Sequence, residues 1–149
     1  MKSLFNTYDN REVIDRINKL TPGTKQLWGK MSVAQMLAHA QAPLKVAYGE
    51  LKLKRGLLGM LFGGFAKKSL LKPEPFKKHL PTAPDFIVRN NREFDEEKTN
   101  LIMLVEIFEK NGPAGLTKES HPFFGKLTIE EWDRLQLKHL DHHLRQFGV

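Results

Sequence analysis

Apolar residues recur at helical spacing in four stretches of the chain, and turn-forming or irregular segments separate these stretches. In the first stretch, Asp9 and Glu12 have the spacing of an N-cap and its reciprocal partner, which predicts a short helix beginning at Asp9. Its end is predicted at the "TPG" of residues 21–23. The apolar positions that carry the period are Val13, Ile14, Ile17 and Leu20.

The second stretch predicts a longer helix with Ser32 as its N-cap, running to about Tyr48. Pro43 lies inside this helix and has no N–H to donate to the carbonyl of His39. We therefore expect a kink near His39.

Two further helices are predicted towards the C-terminus. One runs from about Arg92 to Lys110, with acidic residues in its first turn and "NGPAG" as its stop. The other begins at a capping box of Thr128 and Glu131 and runs to Phe147. This last helix is the one whose start the residue pattern specifies best.

The helical stretches, with no convincing alternating strand, indicate an all-α four-helix bundle that forms a single domain over residues 1–149. Residues 51–90 form a long crossover between the second and third helices, with room for a short helix. Because only short loops force consecutive helices to be antiparallel neighbours, this crossover leaves their arrangement open.

The formal net charge of +7 is concentrated in the crossover. Between Lys52 and Lys78 there are eight Lys and Arg residues and one acid, Glu74, so this segment alone carries +7. The segment is interpreted either as a solvated basic loop or as a positive field that attracts an anionic cosubstrate. Its apolar part, "GLLGMLFGGFAKK", also allows contact with a membrane surface or a protein partner. Nucleic acid is not expected as a partner, because no recognition motif accompanies the charge.

The absence of cysteine excludes disulfide scaffolds, thiolate metal sites and cysteine nucleophiles, so any metal must be bound by nitrogen and oxygen. There is no GxSxG elbow, no phosphate-binding glycine loop and no HExxH pair. The opening residues have no apolar leader, and no later stretch reaches the eighteen or so apolar residues of a membrane span. We therefore expect a cytoplasmic protein.

The last helix concentrates histidine on its apolar side. With about 100° per residue, one broad arc carries the charged side chains and should face solvent. His139 and His143 lie opposite that arc, among the apolar residues, whereas His142 lies at the border. The charged arc consists of Glu130, Glu131, Arg134, Lys138, Asp141 and Arg145.

Residues four apart on a helix are neighbours, so His139 and His143 can bind one ion together. Two ligands are too few for a tight site, and His39 on the second helix is the obvious third. Three neutral imidazoles would leave positions open for water or substrate, as catalytic sites do. The alternative is that each is a structural histidine with an ordinary hydrogen-bond partner.

The remaining histidines have less specific interpretations. His142 is a border residue or a helper of the site, and His79, next to two lysines, is predicted to be solvated. His121, in the loop before the last helix, is predicted to anchor that loop. As a general base, Asp141 is disfavoured because it should face solvent, and Tyr48 is only one possibility.

Three segments, "WGKMSVAQMLAHA", "HPFFGKLTIEEW" and "KHLDHHLRQFG", together resemble the DinB/YfiT-like superfamily of metalloenzymes, in a branch described as a domain of unknown function. The resemblance covers nearly the whole chain in order. It implies a four-helix bundle with one mononuclear site, formed by a histidine of the second helix and two histidines of the last helix. In this sequence those residues are His39, His139 and His143. The basic crossover has no counterpart that we can assign in the better-understood relatives.

These observations lead to the hypothesis of a metal-dependent enzyme that holds zinc or nickel as a divalent metal cofactor. Relatives that use low-molecular-weight thiols suggest a thiol S-transferase that acts on small electrophilic molecules. A metal-dependent hydrolase is the first alternative, and a binding module that uses segment 52–78 is the second. A homodimer is plausible for a small bundle, but the sequence does not decide it.

Overall fold

The computed structural model describes residues 2–54, 56–82 and 84–149, without the side chains of residues 57–62 and 65. The described residues form α-helices and no strand, with one isolated bridge between His121 and Gly125. The helices are α1 (Thr7–Asn18), α2 (Val33–Ala47), α3 (Leu57–Leu70), α4 (Phe94–Asn111) and α5 (Ile129–Gln146), with 3-10 turns at Pro84–Phe86 and Gly112–Gly115. The predicted all-α class is confirmed, and the crossover adds α3 to the four predicted helices.

The two predicted capping motifs of α2 and α5 are confirmed. Ser32 accepts a hydrogen bond from the backbone of Gln35, whose side chain returns one to the backbone of Ser32. Thr128 and Glu131 make the same reciprocal pair at the start of α5. Pro43 lies inside α2 as expected.

The starts of the other two predicted helices need correction. Asp9 does not cap α1, because the side chain of Asn6 accepts from the backbone N–H groups of Tyr8 and Asp9. Asp9 lies in the first turn, and its carboxylate accepts from the backbone N–H of Ser3 at 2.9 Å. The fourth helix begins at Phe94, two residues after the predicted Arg92.

The four helices outside the crossover pack in pairs around a common apolar core. Helices α1 and α2 each pack against both α4 and α5, an arrangement compatible with a helical bundle. No helix in the described part of the chain is long and apolar enough to cross a membrane. The largest fully buried apolar side chains are Phe108, Leu4, Ile17, Leu20, Met36, Leu37, Leu44, Leu70, Leu101, Leu140 and Leu144.

Helix α3 contributes the buried side chain of Leu70 to this core and is also held against α5 by polar contacts. Lys138 donates to the carbonyls of Leu70 at 3.1 Å and Lys72 at 3.0 Å, and Arg134 donates to the carbonyl of Leu71 at 2.6 Å. These carbonyls belong to the last turn of α3 and the residues after it, where a helix leaves its acceptors unpaired. The charged arc of α5 was predicted to face solvent, and for these residues that prediction is wrong.

Helix α3 also contacts the first turn of α5 and the loop before it, again through a residue of the charged arc. Lys67 pairs with Glu131 at 2.7 Å and donates to the carbonyl of Lys126 at 2.7 Å. Gly63 lies so close to the loop before α5 that a Cβ there would be 2.2 Å from the carbonyl oxygen of Phe123. Part of segment 52–78, namely Arg55 and the side chains at 57–62 and 65, lies outside the described residues.

Candidate metal centre

Three imidazoles converge between α2 and α5. One ring nitrogen from each of His39, His139 and His143 lies within 4.8 Å of the other two. The Nε2 atoms of His39 and His139 are 3.1 Å apart. Two nitrogens bound to one tetrahedral zinc ion are about 3.3 Å apart, from Zn–N distances of about 2.05 Å. His39 and His139 therefore have the spacing of two ligands of one ion, and His143 lies close enough to be a candidate third ligand.

The orientation of the His39 ring is set by the crossover. Its Nδ1 lies 2.9 Å from the carbonyl oxygen of Phe86, in the 3-10 turn before α4. A carbonyl can only accept, so Nδ1 carries the proton and Nε2 keeps its lone pair. The ring of Phe86 packs edge-on against the same imidazole, with centroids 6.5 Å apart. The free lone pair of His39 therefore faces His139.

The His143 ring has a comparable partner on its own helix. Its Nδ1 lies 2.8 Å from Oε1 of Gln146, one turn further along α5. Metal-binding histidines in proteins commonly donate from the nitrogen that does not bind the ion, which fixes the tautomer and the ring orientation. His39 and His143 both show this pattern.

Burial keeps these imidazoles neutral. His39 is 3% exposed and His143 is 8% exposed, while His139 is half-buried. Burial lowers the pKa of His143 to about 3, with the charge of His39 as a further cause. Burial also lowers the pKa of His39, and it lowers that of His139 well below 6.5 together with the neighbouring imidazoles. Neutral imidazole is the form that binds metal ions.

His142 lies beside the three converging histidines and is not one of them. Its ring centroid is 5.1 Å from that of His143, and the rings of Trp28 and Phe76 pack edge-on against it at 5.8 and 6.2 Å. Burial lowers the pKa of His142, and a hydrogen bond to the backbone of Phe76 acts in the opposite direction. The predicted border position agrees with its half-buried state.

Two lysines lie over these aromatic rings. Lys78 Nζ is 4.5 Å from the ring centroid of Trp28, and Lys138 Nζ is 4.8 Å from that of Phe76. An ammonium group over an aromatic face at these distances is a favourable cation–π contact. The crossover thus brings aromatic and positive side chains to the edge of the histidine cluster.

His121 anchors the loop before α5, as predicted. Its Nδ1 accepts from the backbone N–H groups of Phe123 at 3.0 Å and Phe124 at 3.1 Å. The residue is buried against Trp132, and burial lowers its pKa to about 4. His79 is exposed, also as predicted.

The two residues considered as general bases are engaged elsewhere. Tyr48 donates its hydroxyl to the carbonyl of Leu104 at 2.6 Å, and burial raises its pKa. Asp141 is half-buried and does not simply face solvent, because it pairs with Arg16 at 2.9 Å and Arg145 at 2.8 Å. Neither group belongs to the histidine cluster.

Sequence reasoning missed most of the partners of the histidines. Phe86 contributes a backbone carbonyl, and any residue type offers one, so no sequence signal marks it. Gln146 is one of the few side chains that the sequence offers as a hydrogen-bond partner for the inward histidines, and the structure places it against His143. Trp28 and Phe76 come from segments without a regular period, which gives no register for their side chains.

A family model matches nearly the whole chain. The model of the family "Protein of unknown function (DUF1569)" matches residues 2–148. No curated protein and no solved structure matches the chain.

Proposed function

The chain belongs to the family "Protein of unknown function (DUF1569)", and we propose that it is a metal-dependent enzyme of the DinB/YfiT-like type. The convergence of His39, His139 and His143 from two helices supports this proposal above all other observations. All three imidazoles are held neutral by burial, and two of them have a partner on Nδ1 that leaves Nε2 available. The Nε2 atoms of His39 and His139 are 3.1 Å apart, so the buried rings bring nitrogen atoms from two helices to the spacing of ligands that share one ion.

The three histidines would hold a divalent ion, with zinc or nickel as the proposed cofactor. Both ions accept imidazole ligands, and three protein ligands leave further coordination positions for a small molecule. When bound, such an ion lowers the pKa of a thiol or water molecule that it coordinates.

The remaining side chains favour a thiol over water as the nucleophile. No carboxylate in the described part of the chain joins the histidine cluster, and Tyr48 and Asp141 are already engaged. A thiol, with an ordinary pKa of about 8.5, ionises far more readily than water and needs no strong protein base. This supports a thiol S-transferase acting on small electrophilic molecules.

In the proposed reaction, sulfur forms a bond to an electrophilic carbon while the leaving group departs with its bonding electron pair. The thiol proton goes to solvent. The ring of Phe86 packs against His39. The rings of Trp28 and Phe76 pack against His142, beside the cluster, so aromatic side chains would exclude water on that side of the site. Lys78 and the basic crossover favour a low-molecular-weight thiol that carries a carboxylate.

Metal content of the untagged protein tests the site first. We expect one equivalent of zinc or nickel per chain by elemental analysis after purification or reconstitution, and its loss in His139→Ala and His143→Ala. His79→Asn is the matched control, because it removes an exposed histidine and asparagine tolerates its φ of 60°. Normal helicity in all variants with no bound metal in the parent protein would reject the site.

Consumption of thiol then tests the reaction. The reconstituted protein should accelerate transfer of a carboxylate-bearing thiol to a chloronitroaromatic probe, and His139→Ala should abolish this acceleration. A metal-loaded protein that cleaves ester or amide probes and consumes no thiol would favour the hydrolase instead.

A further inference from the structure

We propose that Gln146 is a positioning residue that fixes His143 in its Nδ1–H tautomer, and that residues 27–29 in turn fix Gln146. This inference rests on the proposed metal site, because it assigns how one ligand of that site is prepared. It concerns a side chain that does not itself reach the converging nitrogens.

The hydrogen-bond partners of Gln146 decide which end of its amide faces the imidazole. Its Nε2 lies 2.7 Å from the carbonyl oxygen of Trp28, and only the amide nitrogen can donate to a carbonyl. The amide oxygen must then face His143, where Oε1 lies 2.8 Å from Nδ1. Because Oε1 can only accept, Nδ1 carries the ring proton and Nε2 presents its lone pair.

The backbone of residues 27–29 holds Gln146 from two further directions. The N–H of Leu27 donates to the backbone carbonyl of Gln146 at 2.7 Å. Gly29 has a φ of 85°, and a Cβ at this position would lie 2.4 Å from Nε2 of Gln146. Glycine is therefore required here both for the backbone conformation and for the space that the amide occupies. Gln146 is only 4% exposed, so its amide depends on these protein partners.

This contact matters because the Nδ1–H tautomer is the less common one for a free neutral histidine in water. His39 is set in the same tautomer by the carbonyl of Phe86, so two of the three rings are prepared by separate parts of the chain. Loss of such a partner typically lowers metal affinity by about 10- to 100-fold.

Nitrogen NMR of histidine-labelled, metal-free protein tests the tautomer directly. We expect Nδ1–H signals for both His39 and His143 in the parent protein. Gln146→Met keeps the side-chain length and removes both hydrogen bonds, so His143 should lose the Nδ1–H state while His39 keeps it. Gln136→Met is the matched control, because Gln136 is a 1% exposed amide on the same helix whose Nε2 has no hydrogen-bond partner among the described residues.

Zinc titration of the same variants supplies the second readout. Gln146→Met should weaken zinc binding by about 10- to 100-fold, and Gln136→Met should leave it unchanged. Gly29→Ala should act like Gln146→Met, because it displaces the amide without altering any hydrogen-bonding side chain. If Gln146→Met fails to fold, the zinc affinity of Gly29→Ala tests the same prediction.

The two readouts separate the two hypotheses. An Nε2–H signal for His143 in the parent protein, or an Nδ1–H signal that survives Gln146→Met, would overturn the role of Gln146 whatever the zinc affinity. The predicted tautomer without any zinc binding would reject the metal site and leave the role of Gln146 in orienting the ring standing.

Discussion

The paired helices α2 and α5 differ from the crossover between α2 and α4 in how their contacts are encoded. Both helices begin at reciprocal capping motifs, and both turn an apolar face with inward histidines towards the core. The crossover makes its important contacts through backbone carbonyls, such as that of Phe86 on His39 and those of Leu70 and Lys72 on Lys138. Periodicity specifies the first region and leaves the second unspecified.

The site nevertheless depends on both regions. The helices bring the three imidazoles together, and the crossover fixes one tautomer and adds Phe76 and Lys78 to the surroundings of the cluster. Segments of irregular sequence can therefore orient functional side chains as well as connect helices. The following predictions separate what each region contributes.

Truncation of a buried phenylalanine should separate the two regions most strongly. Phe108 is 1% exposed and stacks on Phe5 with ring centroids 4.7 Å apart. Phe108→Ala should reduce the free energy of unfolding by about 3–5 kcal/mol, measured by urea denaturation. Phe76→Ala, in the crossover, removes a half-buried ring and should cost much less. Equal losses of unfolding free energy in the two variants would show that the crossover contributes as much to global stability as the core does.

The helices of the bundle could be predicted from sequence because their capping residues and their periodic apolar positions indicate the same elements. Ser32 is predicted as an N-cap and Thr128 as part of a capping box with Glu131, and the structure confirms both caps. The reciprocal bond between the Gln35 side chain and the Ser32 backbone is found only in the structure. The first helix shows the limit. Asn6 and Asp9 are both good caps, and the side chain of Asn6 makes the capping bonds.

The cluster could be predicted in part. The helical period places His139 and His143 on one face, but it says nothing of what faces them from another helix. The sequence suggests His39 as a third ligand because two ligands are too few and because the resemblance implies a histidine on the second helix. The short distance between His39 and His139 depends on the packing of α2 against α5, which the sequence does not predict. The contact of Lys138 with α3 was missed because a charged side chain looks the same on a wheel whether it meets water or a carbonyl.

Acid should destabilise the metal-free protein through its neutral buried histidines. The pKa of His121 is about 4 in the folded chain and 6.5 ordinarily, so between these values the unfolded chain binds a proton that the folded chain does not. The free energy of unfolding therefore falls as the pH drops below 6.5, by about 1.4 kcal/mol per pH unit for this histidine. His143, with a pKa of about 3, adds to the same trend down to lower pH.

The variant His121→Asn measures how much His121 contributes to the fall in the free energy of unfolding at acidic pH. Urea denaturation in the presence of a chelator, at several pH values from 6 to 4.5, should show a shallower slope for the variant than for the parent. An unchanged slope would mean that His121 already binds its proton in the folded state.

Helix capping should have an effect of about 1 kcal/mol in the bundle and less in the crossover. Thr128→Ala removes the acceptor of the Glu131 N–H and should cost about 1 kcal/mol of unfolding free energy. Gly56, the N-cap of α3, makes no side-chain capping bond, and a Cβ there would meet no atom of the described part of the chain within 4 Å. Gly56→Ser should therefore stabilise α3 by a few tenths of a kcal/mol, seen as slower amide exchange in its first turn. Faster exchange there would contradict an accessible cap position.

Two lysines provide the finest comparison, because they make the same contact in the two regions. Lys98 donates to the carbonyls of Asn18 and Leu20 at the end of α1, each at 3.0 Å. Lys138 donates to those of Leu70 and Lys72 at the end of α3, at 3.1 and 3.0 Å. Replacement by Met keeps each aliphatic stem and removes the donors, at a cost of about 0.5–1.5 kcal/mol per site.

The losses of stability in Lys98→Met and Lys138→Met should appear in different measurements. Helix α1 packs on both α4 and α5, so Lys98→Met should lower the global free energy of unfolding. Helix α3 is held at its end by the polar contacts of Lys138 and Arg134, so Lys138→Met should speed amide exchange in the last turn of α3 and change global stability by less than about 0.5 kcal/mol. A global loss equal to that of Lys98→Met would show that α3 unfolds together with the bundle, and the distinction between the two regions would then be one of sequence pattern alone.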